Sequence, residues 1–161
     1  LSLALGWPGH TPIVYLVDIS EDALDLARLN ASRLIAGSNS LAPHFVRSDL
    51  FEKIPGQFDL IVANLPYIPA AEINDLSREV RRDPILALDG GPDGLDIIRR
   101  FLTDVSTHLN PGGWIALEVG HDQGPATAEL AKAAGFEHIS QEKDLQGIGR
   151  FVLACLPASS N

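Results

Sequence analysis

The amino-acid sequence predicts an α/β fold with a mostly parallel sheet and an antiparallel strand pair near its carboxyl-terminal end. Short apolar runs alternate with amphipathic stretches along the chain, a pattern that is typical of βα units. The chain has 161 residues, 45% of them hydrophobic, which suits one domain with one substantial core. We therefore expect a single domain over residues 1–157, followed by a flexible polar tail over residues 158–161.

Three strands and one helix are predicted in the first part of the chain. Ser20 is the expected N-cap of the helix, which continues with apolar residues at helical spacing to about Ala36 and ends at Gly37. Each strand is a short run that stops at a polar residue. The strands are residues 13–17 (IVYLV), stopping at Asp18; residues 44–47, stopping at Ser48 and Asp49; and residues 58–63 (FDLIVA), stopping at Asn64.

Two helices and three further strands are predicted after a polar, proline-punctuated segment. That segment, residues 69–88, is expected to contain at most one short helix. The run Asn110-Pro111-Gly112-Gly113 is expected to end the first of the two helices, and Gly135 the second. The helices are residues 93–109 and 123–134; the strands are residues 114–119 (WIALEV), 136–142 and 150–156, the last two forming the antiparallel pair.

Polar residues at the strand ends predict a shared ligand pocket. Asp18, Asp49 and Asn64 each follow a strand, and Glu118 lies near the end of another. A single residue of this kind is explained by turn formation alone. Ligands of open α/β sheets bind outside the carboxyl ends of the strands, so several such residues are better explained by one pocket.

Asp18 and Asp49 have the chemistry needed to bind a nucleoside. An acidic residue at the end of such a strand accepts hydrogen bonds from ribose hydroxyls, a role that fits Asp18; the alternative is a helix-capping aspartate just before Ser20. Asp49 can accept a hydrogen bond from the exocyclic amine of a base, with Leu50 and Phe51 beside the flat ring. The alternative for Asp49 is a simple turn residue.

The stretch Asn64-Leu65-Pro66-Tyr67 suits the binding of an amide or aryl amine. Pro66 fixes its own φ and favours an extended Leu65, so the Asn64 side-chain oxygen and the Leu65 carbonyl can converge on one NH₂ group. Such a nitrogen is a poor nucleophile because its lone pair is delocalised. Two acceptors that hold both hydrogens can turn the lone pair towards an electrophile, while Tyr67 offers a face for a planar substrate.

Composition narrows the classes of partner. The formal net charge of −9 would repel phosphate backbones, so broad nonspecific nucleic-acid binding is not expected. The single cysteine, Cys155, excludes an internal disulfide and is typical of a reducing cytoplasm. No apolar stretch suits a membrane span, no signal-peptide pattern is present, and the five histidines lack metal-ligand spacing, so neither a membrane nor a metal is expected.

With these motifs the chain resembles the S-adenosylmethionine-dependent methyltransferases with a Rossmann-like sheet. Within that class it is most similar to the HemK/PrmC family, which methylates the glutamine of peptide chain release factors in translation termination. The resemblance covers roughly residues 1–156 as a catalytic domain. It rests on Asp18, SDLF (48–51), FDLIVANLPY (58–67), EVRRDP (79–84), ALDGG (87–91), DGL (93–95), Gly112-Gly113, LEVGH (117–121) and Gln123-Gly124.

The resemblance implies a role for each matching residue. Asp18 would bind the ribose of S-adenosyl-L-methionine, and Ile19 would also be in the cofactor site. Asp49 and Leu50 would lie at the adenine, and Asn64 would border the cofactor as well as the substrate. Together Asn64, Leu65, Pro66 and Tyr67 would hold the glutamine amide of a Gly-Gly-Gln loop. The implied partner is a release factor, a protein and not a nucleic acid, and the oligomeric state stays open.

Leu65 departs from the family pattern, which usually has Asn-Pro-Pro-Tyr. The position supplies a backbone carbonyl, which leucine retains. Asn-Leu-Pro-Tyr is also the form of the rRNA adenine dimethyltransferases, so adenine or another amine is the alternative substrate. The downstream EVRRDP, ALDGG and DGL segments and the negative charge favour glutamine. A third alternative is a fragment or degenerate domain that binds cofactor weakly or not at all and has no activity.

The second departure concerns the start of the chain. The family's first strand and glycine-rich cofactor loop are expected just before Leu1, because LSLALGW resembles the helix that follows that loop. That strand would lie mid-sheet, between the strands that end at Asp18 and Asn64, and a helical substrate-recognition domain is expected upstream. The alternative is that residues 1–6 themselves form the strand.

Overall fold

The computed structural model describes residues 4, 6–9, 11–35 and 41–158. The chain divides into two compact units, Leu1–Pro55 and Gly56–Asn161. Three predictions fall wholly or largely on residues outside the described part: the helix end at Ala36 and Gly37, the alternative strand at residues 1–6, and the tail. No helix among the described residues is long and apolar enough to span a bilayer.

The first unit contains strand β1 (Tyr15–Asp18), helix α1 (Glu21–Leu34) and strand β2 (His44–Arg47). The two strands pair in parallel, with Asp18 opposite Arg47. Ser20 is the N-cap, as predicted, because its Oγ accepts a hydrogen bond from the Ala23 backbone N–H at 3.3 Å. Leu24 and Ala31 are the buried residues of α1.

The second unit contains a four-stranded sheet and two helices. They are β3 (Phe58–Asn64), α2 (Asp96–Asp104), β4 (Leu109–Glu118), α3 (Gly124–Ala133), β5 (Glu137–Lys143) and β6 (Gly149–Cys155). The strand order is β3-β4-β6-β5; β3 pairs with β4 in parallel, and β6 pairs with both β4 and β5 antiparallel. The predicted α/β class, the order of the elements and the antiparallel closing pair are confirmed.

The core of this unit lies along β4, which has a hydrogen-bonded strand on each side. Ile115, Leu117 and Val119 alternate with less buried residues and are fully buried. Val152 and Ala154 of β6 are buried equally well. Because β4 is hydrogen-bonded to β3 on one side and to β6 on the other, the position of its carboxyl end is fixed, and the loops that follow it start from a fixed position.

Helix α2 is shorter than predicted. The prediction of residues 93–109 is wrong at both ends: α2 spans Asp96–Asp104 and a 3₁₀ turn, Val105–His108, follows. At the start, Asp93 Oδ1 accepts a hydrogen bond from the Leu95 N–H at 3.1 Å, and Gly94 has φ +75°. That turn is incompatible with helical backbone, so the helix begins after it.

Strand β4 is longer than predicted, because Asn110-Pro111-Gly112-Gly113 lies inside it and does not precede it. Gly112 N–H donates to Leu156 O at 3.0 Å, and Leu156 N–H donates to Gly113 O at 2.8 Å. These bonds continue the pairing with the end of β6. The run is therefore part of β4, although Gly112 keeps a left-handed φ of +81° and the register with β3 shifts between Phe58 and Leu60.

The proline-punctuated segment contains three short 3₁₀ turns, where at most one short helix is predicted. They are Ala70–Asp75, Val80–Arg82 and Ile85–Ala87. Pro69 and Pro84 precede the first and the third, each with φ −56°. Each proline fixes φ at a turn-compatible value, and none of the three turns buries a residue, so no longer helix is stabilised.

The described strands form two separate sheets. β1 is hydrogen-bonded only to β2, and β3 only to β4, so each is an edge strand within the described part of the chain. Val17 on β1 and Val62 on β3 are 40% and 55% exposed. The strand that the sequence comparison with the family places between them stays a prediction.

Candidate active site

Asn64 ends β3 directly opposite Glu118 of β4 in a parallel register. Its side chain is exposed and makes no hydrogen bond to another residue in the part of the chain that the structure describes. Leu65, Pro66 and Tyr67 are half-buried. The amide therefore lies at the carboxyl end of a fixed strand with its acceptor and donors available to a ligand.

The residues after Tyr67 are anchored to the segment that carries the ALDGG motif. Ile68 N–H donates to Leu88 O at 3.0 Å, and Gly90 N–H donates to Ile68 O at 2.9 Å. Two residues on, Ala70 N–H donates to Gly91 O at 2.9 Å. The Asn64–Tyr67 loop is thus held at one end by β3 and at the other by this short parallel pairing.

Gln123, the N-cap residue of α3, also contacts the loop. Its side chain is buried at 8% exposure. The Oε1 atom accepts a hydrogen bond from Gly120 N–H at 2.9 Å, and Nε2 donates to Tyr67 O at 2.8 Å. A longer contact joins Nε2 to Asp93 O at 3.5 Å. One buried amide therefore links the ends of β4 and α2 to the loop that follows Asn64.

Gly94 makes this close approach possible. A Cβ added there would lie 2.3 Å from Tyr67 O and 2.5 Å from Gln123 Nε2. Its φ of +75° also lies in the region that side chains other than glycine's rarely adopt. The glycine of the DGL motif is therefore required by the contact with the Asn64–Tyr67 loop.

The turn that carries Gly94 is stabilised by charge. Arg99 Nη1 donates to Asp93 Oδ1 at 2.9 Å and to Asp96 Oδ1 at 3.0 Å. The hydrogen bond from Arg99, with a second from Leu95 N–H, lowers the pKa of Asp93 to about 2. Asp93 is therefore ionised at neutral pH and remains an acceptor for both groups.

In the first unit, Asp18 is the last residue of β1 and Asp49 comes shortly after the end of β2, so both lie at the carboxyl end of this parallel strand pair. Ser48 N–H donates to Asp18 O at 3.0 Å. Asp18 Oδ1 accepts the Ser20 N–H at 2.8 Å, so the carboxylate does make the local turn contact that the capping alternative predicts. Asp18 is exposed, and its Oδ2 is in no hydrogen bond with a described residue.

Ile19 and Leu50 lie at this edge as well. Arg47 Nε donates to Ile19 O at 3.1 Å, which fixes the chain just after Asp18. Leu50 has φ +46°, a left-handed conformation that a leucine rarely adopts. Such strain is concentrated at ligand sites. Four of the five predicted cofactor residues thus occupy one edge of the first unit, and the single pocket predicted to include the fifth, Asn64, stays a prediction.

Gln123 and Gly94 have no individual role in the sequence interpretation, although both lie in its matching motifs. A signal was available in the Gly120-x-x-Gln123 spacing, which resembles the reciprocal contact of a capping box. The contact with Tyr67 has no such local signal, because 56 residues separate the two. In the described part of the chain no group of three or more His, Cys, Asp or Glu side chains is placed to hold a metal ion.

Comparison with known proteins agrees with this architecture. No family model matches the chain. The release factor glutamine methyltransferase of Gloeobacter violaceus is 42% identical over 156 residues, which are 95% of this chain and 53% of that protein. Further curated relatives with the same name are 37–46% identical.

Solved structures show the same fold. A methyltransferase from Pyrococcus furiosus has a TM-score of 0.64 at 21% identity, over 91% of this chain and 63% of that one. A release factor-specific protein-(glutamine-N5) methyltransferase from Alicyclobacillus acidocaldarius has a TM-score of 0.53 at 21% identity, over 97% and 87%. The fold is that of the S-adenosylmethionine-dependent methyltransferases. The chain spans about half the length of the curated relatives it matches, and by sequence it is similar to the release factor glutamine methyltransferases.

Proposed function

We propose that the protein transfers a methyl group from S-adenosyl-L-methionine to the side-chain amide of the glutamine in the Gly-Gly-Gln loop of a release factor. The observation that carries the proposal is the exposed Asn64 amide, which is free of hydrogen bonds to the described residues and lies on a loop anchored at both ends. A rigid acceptor aimed at an incoming NH₂ group is what this reaction requires.

Asn64 and Leu65 do the positioning in this proposal. The Asn64 Oδ1 and the Leu65 carbonyl accept the two N–H hydrogens of the glutamine amide, and Tyr67 packs against the substrate side chain. The cofactor, when bound, supplies an electrophilic methyl group on a sulfonium. The glutamine nitrogen forms the new N–C bond as the S–C bond breaks, and the nitrogen then loses one proton to solvent. The two acceptors favour the pyramidal nitrogen of the transition state.

The residues of the first unit fit the nucleoside part of the cofactor. Asp18 retains an exposed carboxylate oxygen beyond the one used by Ser20, which suits a ribose hydroxyl. Ile19 follows it at the same edge, and Asp49 with Leu50 is assigned to the adenine. These four assignments rest on the matching motifs and on the position of the residues at the strand ends.

The substrate is assigned as a protein and not as RNA. A net charge of −9 is unfavourable for binding a phosphate backbone, whereas it places no such limit on a protein loop. Because release factors act in translation, we place the reaction in the cytoplasm. Competition between a Gly-Gly-Gln peptide and RNA in a methyl-transfer assay separates the two substrates: methylation of the RNA in preference to the peptide would favour the adenine alternative.

Asn64→Ala tests the central role. Removing one preorganised group at a reacting centre typically lowers turnover by about 10²-fold, while the affinity for S-adenosylmethionine, measured by isothermal titration, should change much less. Asn110→Ala is the matched control, since Asn110 lies near the start of β4 and its Nδ2 donates to Asp59 at 2.7 Å. Equal turnover for Asn64→Ala and Asn110→Ala would contradict the role given to Asn64.

The same titration on the unaltered protein tests the inactive alternative. Measurable affinity for S-adenosylmethionine, together with methyl transfer to the peptide, is the expected result. A protein that binds no cofactor would agree with the third alternative raised by the sequence.

A further inference from the structure

Gln123 is a buried amide whose polar atoms are all matched to backbone groups. Its Oε1 accepts from Gly120 N–H, and its Nε2 donates to Tyr67 O at 2.8 Å and approaches Asp93 O at 3.5 Å. Burying an amide is unfavourable unless its hydrogen bonds are made, and here they are. The three backbone groups belong to three different segments of the second unit.

The oxygen and the nitrogen of the Gln123 amide hold different parts of the chain. The Oε1 contact with Gly120 spans three residues and closes the turn before α3, together with the bond from Gln123 N–H to Gly120 O at 3.0 Å. The Nε2 contact reaches the loop that follows Asn64, 56 residues away in sequence. A glutamate would make the first contact equally well, but its ionised form would set a second acceptor against the Tyr67 carbonyl. Only the second contact therefore requires an amide.

The Tyr67 carbonyl is the group of the Asn64–Tyr67 loop that accepts the hydrogen bond from Gln123. Asn64 is fixed by its pairing in β3, and Ile68 is fixed by its hydrogen bonds to residues 88 and 90. Between them Pro66 has a restricted φ. The Tyr67 carbonyl belongs to the same planar peptide as the Ile68 N–H, so the orientation of this peptide is held on one side by the bond to Leu88 O and on the other by the bond from Gln123. The Gln123 hydrogen bond, with Gly94 closely packed beside it, restricts that orientation.

We propose that Gln123 is a positioning residue for methyl transfer: its Nε2 holds the Tyr67 carbonyl and thereby sets the Leu65 carbonyl and the Tyr67 ring for the substrate amide. The proposal rests on the proposed function, because it assigns Gln123 to the same site. It concerns turnover and not cofactor affinity, since the contacted loop is the substrate part of that site. A misplacement of about 1 Å at such a site can lower the rate by about 10²-fold.

Gln123→Glu is the informative variant, compared with Gln123→Ala. At pH 8 both should lose about 10- to 100-fold in kcat, with the affinity for S-adenosylmethionine within about twofold of that of the unaltered protein. As the pH is lowered, the glutamic acid becomes protonated and can donate to Tyr67 O. The kcat of Gln123→Glu relative to the unaltered protein should then recover, whereas that of Gln123→Ala should not.

Gln57→Glu is the matched control. Gln57 is exposed, and its Nε2 donates to the Thr107 carbonyl at 3.4 Å, so the same change of charge is made away from the loop. The exposed side chains of His121 and Asp122 lie on the turn before Gln123, and Asp93 and Glu118 lie on the adjoining segments. Expressing each rate relative to the unaltered protein at the same pH removes the titration of these groups.

Hydrogen exchange tests the proposal without the reaction. The Ile68 amide, which donates to Leu88 O, should exchange about tenfold faster in Gln123→Glu at pH 8 than in Gln57→Glu, because the loop opens more often. Unchanged Ile68 exchange and a kcat within twofold of that of Gln57→Glu would overturn the proposal. If the unaltered protein methylates no Gly-Gly-Gln peptide, the proposed function fails on its own, and the exchange measurement still decides whether Gln123 orders the loop.

Discussion

Gly94→Ala gives the sharpest test of how the Asn64–Tyr67 loop is held. The new methyl group would lie 2.3 Å from Tyr67 O and 2.5 Å from Gln123 Nε2, well inside van der Waals contact. One of the atoms that must move is a backbone carbonyl that accepts a hydrogen bond. The substitution also forces an alanine to adopt a φ of +75°.

The expected magnitude follows from these two effects. A left-handed alanine is unfavourable by about 1–2 kcal/mol, and disrupting the buried hydrogen bond between Gln123 and Tyr67 adds about 1–3 kcal/mol. We expect a loss of about 3 kcal/mol in the free energy of unfolding. For a chain of this length that loss lowers Tm by about 6–12 °C.

Gly112→Ala is the matched control for the assay. Gly112 has φ +81°, and a Cβ there would have no atom within 4 Å, so only the backbone effect remains. We therefore expect Gly112→Ala to lower the free energy of unfolding by about 1–2 kcal/mol. Thermal unfolding followed by circular dichroism and denaturant titration would measure both variants. Equal losses of stability in the two would refute the packing of Gly94 against the loop.

Two further predictions concern stability. Thr127 is fully buried in α3, and its hydroxyl has no hydrogen-bond partner among the described residues. Thr127→Val should therefore raise Tm by about 2–4 °C, from about 1 kcal/mol; a lower Tm in a thermal melt would contradict this. The pKa of Asp93 is lowered from 3.8 to about 2, so its contribution to stability is present above pH 3.8 and lost as the pH falls through 2. Arg99→Gln should thus be less stable than the unaltered protein at pH 6, and unfolding titrations should show the difference shrinking towards pH 2; a constant difference would argue against the ion pair.

The position of a site residue could be predicted from the sequence wherever it depends only on the strand that carries the residue. Asp18 and Asn64 end short apolar runs that predict strands, so their position at the carboxyl end of a strand is decided locally. Gln123 could not be given a role in this way. Its bond to Gly120 has a local spacing, but its bond to Tyr67 exists only because the folded chain brings the start of α3 beside the loop after β3.

The sequence by itself determined the order of strands and helices, the Ser20 cap and the family motifs, since each of these depends on periodicity and local turn chemistry within a few residues. The tertiary structure alone decided where Asn110-Pro111-Gly112-Gly113 belongs and which groups hold Tyr67. In both cases the decisive hydrogen bonds come from chain that is distant in sequence. Pairing with Leu156 keeps this run inside β4 although Gly112 retains a left-handed φ, and one buried amide fixes a loop that no local pattern would fix.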